Sequence, residues 1–186
     1  MLLMSAECTG HYAAQLFQEL RRRFSPREVK RYTLECTMPR TRKTVKSAEE
    51  MFALAASFVN DLKAKSYKLT ASVVVGLTGE LGAGKTTFVK GVAFSLGVRE
   101  HVTSPTFVIM KIYKLARKPW RHLVHIDAYR LEDPKELRAL GWEALVADHK
   151  NLILVEWAEK VRPFLPRGYR LISFNYIGDN ERRVSL

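Results

Sequence analysis

Gly79-Glu80-Leu81-Gly82-Ala83-Gly84-Lys85-Thr86 has the spacing G-x-x-x-x-G-K-T, a pattern whose chemistry is the grip of a polyphosphate. Its glycines let the backbone turn so tightly that successive N–H groups point inward at phosphate oxygens. A helix opening at Lys85 adds the equivalent of about half a positive charge there. Lys85 would bridge the β- and γ-phosphates and the Thr86 hydroxyl would ligate Mg2+, with Thr87 next in the same turn. Two acids are candidates to work beside this loop. Asp127 follows the apolar run Leu123-Val124-His125-Ile126, and Glu156 follows Leu152-Ile153-Leu154-Val155. Ligands of open α/β sheets bind beyond the carboxyl ends of the strands, so three parallel neighbouring strands would bring loop and carboxylates together. The acids would then hold Mg2+ directly or through water, or orient an attacking water. Thr106, in Thr103-Ser104-Pro105-Thr106, either carries a hydroxyl to the γ-phosphate or metal or belongs to a capped turn whose shape Pro105 sets. His125, which alternates with core residues, and Trp157, after a strand end, read as packing residues. Arg130 reads as a surface arginine.

The elements that must position these residues are legible in the apolar spacing. Ser47 and Glu50 form a capping box, and Met51, Leu54, Ala55, Phe58, Val59 and Leu62 follow at helical intervals. Residues 72–78 are a β-branched run suited to a strand buried on both faces and ended by Gly79. A helix is expected from Lys85 to Leu96, closed by Gly97, and a strand over residues 107–113. Strands are expected at 123–126 and 151–155. Asp133-Pro134-Lys135-Glu136 opens a helix carrying Leu137 and Leu140, interrupted near Gly141. Residues 169–174 and 182–186 suggest a hairpin around Gly178-Asp179-Asn180. The fold class expected is α/β, a P-loop NTPase-like three-layer sandwich with a mainly parallel central sheet.

The 186 residues, 47% hydrophobic and 27% charged, exclude a fully disordered chain and a disulfide-rich mini-protein. No apolar run reaches the ~18 residues of a membrane span. Cys8 and Cys36 make no disulfide framework, and the opening apolar stretch is too short for a secretory leader, which together point to the cytoplasm. Half of the net charge of +12 lies in residues 1–46, a basic N-terminal extension with little pattern beyond a short helix at 11–24 and a candidate for disorder. Residues 47–186 form the expected P-loop ATPase domain. The basic balance favours polyanionic partners such as RNA, nucleotides and acidic proteins. No N-K-x-D element for guanine is present, which favours ATP over GTP. No Ser/His/Asp order or zinc-spaced Cys/His cluster competes.

Four blocks extend the comparison beyond one loop: residues 77–88 around the phosphate loop, Thr103-Ser104-Pro105-Thr106-Phe107, His125-Ile126-Asp127-Ala128-Tyr129-Arg130-Leu131, and Val155-Glu156-Trp157. In order and spacing they resemble the signature blocks of the TsaE (YjeE) family, tRNA threonylcarbamoyladenosine biosynthesis ATPases, over about residues 47–186. The resemblance implies an ATP- and Mg2+-dependent hydrolase that supports the TsaB and TsaD proteins in modifying the adenosine next to the anticodon, meeting tRNA only through that complex and no membrane. It further implies that residues 79–86 hold phosphates, that Thr86 and Glu156 ligate Mg2+ with Asp127 needed for hydrolysis, and that Thr106 lies in a switch-like loop. Trp157 matches the family's aromatic beside the metal carboxylate, and Ser47 and Arg183 match segments flanking adenine and ribose. The 46-residue extension departs from the family pattern. A P-loop small-molecule kinase and a nucleotide-gated binding module with little turnover are the competing classes.

Overall fold

The computed structural model describes residues 41–65, 70–116, 119–178 and 180–186. The helix expected at 11–24, both cysteines and most of the basic extension lie outside the described residues. The run 72–78 yields β2 (Val73–Thr78), which pairs in parallel with both β5 (Asn151–Glu156) and β6 (Arg170–Tyr176). β4 (His122–Asp127) lies parallel to β5 on its other side. β3 (Met110–Lys114) adds antiparallel to β4, and β7 (Arg182–Ser185) and β1 (Arg42–Val45) extend the opposite edge antiparallel. The order β1-β7-β6-β2-β5-β4-β3 makes one seven-stranded sheet whose centre is parallel.

Strand alternation sorts the side chains into two cores. Val75, Leu77, Leu123, Leu152, Leu154, Ile172 and Phe174 face α1 (Ala48–Lys65) and α2 (Lys85–Ser95). Val74, Val124, Ile126, Ile153 and Val155 face the other way, against the short helices α3 (Glu136–Ala139), α4 (Trp142–Ala147) and α5 (Ala158–Val161). These are the three layers of the expected sandwich. α1 opens on the capping box: the Glu50 amide donates to Ser47 Oγ at 3.2 Å, and the Glu50 carboxylate accepts from the Lys46 amide at 2.7 Å. Its face of Met51, Ala55, Phe58, Val59 and Leu62 is buried. Gly91 lets α2 close on it, since a Cβ there would stand 2.8 Å from Ala55 Cβ.

Two boundaries differ from the sequence expectation. The sheet begins at Arg42, ahead of Ser47, because β1 is an edge strand with only Val45 buried and so leaves no apolar alternation to read. The strand expected over 107–113 starts at Met110. Both the Val108 and Ile109 amides turn back to donate to the Pro105 carbonyl, Ile109 takes φ 64°, and Phe107 is 83% exposed. An apolar run by itself does not distinguish a buried strand from an exposed turn.

Candidate functional site

The loop after β2 is shaped by three glycines with positive φ: Gly79 at 137°, Gly82 at 75° and Gly84 at 101°. The first is also sterically compulsory, because a Cβ on Gly79 would lie 2.3 Å from the Phe174 carbonyl oxygen of β6. Within the turn the Ala83 amide donates to the Glu80 carbonyl, Leu81 points outward, and Ala83 is buried. Lys85 opens α2 with 4% exposure. Its ammonium group folds back over the loop, donating to the carbonyls of Gly79 at 2.6 Å and Glu80 at 2.9 Å. It also lies 3.9 Å from the centre of the Trp157 ring. Burial lowers its pKa, and the negative charges of Glu156, Glu159 and Asp127 oppose that shift. Thr87 is half-buried in the next position.

The register of the central strands sets Asp127 beside Glu156, each the last residue of its strand. Both continue the pleat of Leu123, Leu152 and Leu154, so they point to the face from which α2 starts. Thr86 Oγ1 stands 2.9 Å from each oxygen of Glu156. Asp127 accepts from Ser104 Oγ at 2.9 Å, from Thr106 Oγ1, and through its other oxygen from the Tyr129 amide at 3.0 Å. The structure therefore unites Lys85, Thr86, Thr106, Asp127, Glu156 and Trp157 at one end of the sheet. Trp157 sits in the left-handed region at φ 58°, its ring tilted at 44° to that of Tyr129 with the centres 5.0 Å apart.

The flanking residues divide. Ser47 caps α1, and Met51 one turn later lies 3.0 Å from the Cβ position of Gly84, so that helix start adjoins the loop. Arg183 alternates with Val184, whose side chain joins the core under α1 and α2, and it therefore faces away from the loop. The residue on the loop side is Arg182, stacked at 4.1 Å on its strand partner Tyr176. The Tyr176 hydroxyl in turn donates to the Leu81 carbonyl at 3.2 Å. Arg130 is an exposed residue over the Phe107 ring at 4.4 Å. The sequence reading did not single out Ser104, Tyr176 and Arg182, and it read His125 as packing. His125 Nε2 lies 2.8 Å from Glu156 Oε1. The signal available beforehand was its position two residues before Asp127, hence on the same pleat face.

The donors gathered here, two carboxylates and a hydroxyl, are hard oxygens of the type Mg2+ takes, and that ion completes its shell with water and phosphate oxygens. Among the described residues no group of three or more His, Cys, Asp and Glu is placed to hold a metal. Nor is any described helix long and apolar enough to cross a membrane.

The model of the family described as threonylcarbamoyl adenosine biosynthesis protein TsaE matches residues 45–184. The chain belongs to the TsaE family. The tRNA threonylcarbamoyladenosine biosynthesis protein TsaE of Bacillus subtilis is 42% identical over 123 residues, covering 63% of this chain and 74% of the relative. That of Streptomyces coelicolor is 43% identical over 119 residues, covering 62% and 78%. The Rickettsia prowazekii TsaE is 32% identical over 144 residues, covering 77% and 92%. The crystal structure of Bacillus subtilis YdiB superposes with a TM-score of 0.60 at 29% identity, covering 79% of this chain and 84% of that one. TsaE membership accounts for the order of the four sequence blocks, all of which fall within the matched residues.

Proposed function

We propose that this chain is a Mg2+-dependent ATPase subunit of tRNA threonylcarbamoyladenosine biosynthesis, acting in the cytoplasm with TsaB and TsaD proteins and meeting tRNA through them. The observation that carries the proposal is the convergence of a glycine-shaped loop, a buried lysine and two adjacent carboxylates on one face of the sheet. The loop residues 79–86 take the phosphates, with Lys85 turning from its own loop carbonyls to their oxygens. Thr86, Glu156 and Asp127 hold the ion, whose charge offsets that of the phosphates during transfer. Asp127, tied to Ser104 and Thr106, links nucleotide occupancy to the loop that carries Phe107. Ser47 and the β6–β7 hairpin flank the nucleoside. The domain is 47–186 together with β1.

The test measures ATP binding and phosphate release by the full chain, with and without TsaB and TsaD. Binding that needs Lys85 and turnover that rises with the partners are expected; absence of ATP binding overturns the proposal. A nucleotide-gated binding role is favoured by one observation: the loop whose Thr106 bonds Asp127 also displays Phe107 and Val108 at 83% and 58% exposure. ATP-dependent association without phosphate release selects that role.

A further inference from the structure

His125 is fully buried in the middle of β4. Its register partner on β5 is Leu154, and Glu156 is the diagonal neighbour on the same face. Nε2 lies 2.8 Å from Glu156 Oε1. A hydrogen bond in which Glu156 Oε1 accepts calls for the Nε2–H tautomer of the ring, with Nε2 donating. The other ring nitrogen, Nδ1, is buried with no partner among the described residues. A leucine here would continue the row of Leu123, Leu152 and Leu154 and orphan nothing, whereas the imidazole leaves a polar atom unpaired at a cost in stability. What the ring adds over an aliphatic side chain is its bond to Glu156. Thr86 Oγ1 is equidistant from both Glu156 oxygens and so does not select between them, while His125 engages Oε1 alone.

We propose that His125 is a positioning residue: by holding Oε1 it fixes the rotation of the Glu156 carboxylate and leaves Oε2 to face Mg2+. The inference rests on the Mg2+–nucleotide site proposed above. Partners of this kind, behind metal-binding groups, typically change metal affinity by about 10–100-fold when removed.

The experiment titrates a fluorescent ATP analogue into the full chain with and without Mg2+. In His125→Phe, the Mg2+ concentration giving half-maximal enhancement of binding should rise about 10–100-fold, with Mg2+-free affinity at the wild-type value. His125→Gln, whose amide still donates, should recover most of the response. An unchanged Mg2+ requirement in His125→Phe, or an equal loss with and without Mg2+, overturns the inference. Should His125→Phe fail to fold, the long-range 1H–15N spectrum of wild-type imidazoles decides: an Nε2-protonated tautomer at His125 supports it and an Nδ1-protonated one overturns it. A wild-type chain whose nucleotide affinity ignores Mg2+ instead overturns the proposed function, which separates the two failures.

Discussion

In a nearly closed site the Lys85 ammonium donates hydrogen bonds to two loop carbonyls, and burial lowers its pKa against the opposing charges of Glu156, Glu159 and Asp127. A charge-assisted bond to phosphate contributes about 1.5–3 kcal/mol, so Lys85→Ala should weaken ATP binding by about 10–100-fold or more, read by equilibrium titration. Asp127→Ala and Glu156→Ala should retain part of the binding and lower phosphate release by about 100–1,000-fold, the range typical of a lost charge-stabilising group. Full turnover in both variants would rule out these roles. Glu159 behaves differently: burial raises its pKa, with Lys85 and Lys160 opposing the rise. A carboxyl with a raised folded-state pKa contributes its stability below the unfolded value of 4.5 and loses it as pH climbs through the folded value. Glu159→Gln should therefore gain in melting temperature relative to wild type between pH 4 and pH 7.5; a difference independent of pH would contradict that assignment. The types and spacing of Gly79 to Thr86 were readable because a phosphate loop is a local device, its parts a few bonds apart. The bond from His125 to Glu156 spans 31 residues of sequence, and no local pattern encodes it.

Helix α2 illustrates how an element is placed with the precision a site requires. Its first residue carries the lysine and its seventh, Gly91, meets α1 so closely that a methyl group would press on Ala55 Cβ at 2.8 Å and on Phe52 Cα at 3.1 Å. Alanine gains about 1 kcal/mol in helix propensity over glycine, but overpacking costs about 1–3 kcal/mol. The neighbours are a methyl group and backbone, neither with a rotamer to yield. Gly91→Ala should therefore lower stability by about 1 kcal/mol in urea denaturation, and a stabilised variant would show that the helices separate more readily than their packing implies. The helices were legible from caps and 3.6-residue spacing, as were the central strands from their β-branched runs. The start of β3 was not, because Phe107, Val108 and Ile109 are as apolar as a strand yet are held in a turn by the Pro105 carbonyl and, through the Ile109 carbonyl, by the Asp127 amide.

At the scale of the molecule, the sheet's outer strand tests where the folded unit begins. β1 pairs with β7 along four residues and buries Val45 to 4% exposure. Burial of a valine stabilises by about 1.5–3 kcal/mol, so a chain starting at Ser47 should unfold at lower urea than one starting at Thr41, by about 2 kcal/mol. Equal stabilities would make β1 dispensable. The same edge decides which arginine faces the loop. Sequence places Arg182 and Arg183 side by side, but alternation on β7, anchored by Val184 in the core, turns Arg182 toward Tyr176 and the loop and Arg183 away. The amino-acid sequence by itself determined the loop, its helix, the two strand-end acids and the three-layer class, because each depends on residues within one turn or one pleat of each other. Only the tertiary structure decided that Asp127 and Glu156 share a face with Lys85, that Ser104 and Thr106 both close on Asp127, and that His125 braces Glu156. Those meetings depend on strand order and register, which arise from packing the whole sheet and are properties of no single segment.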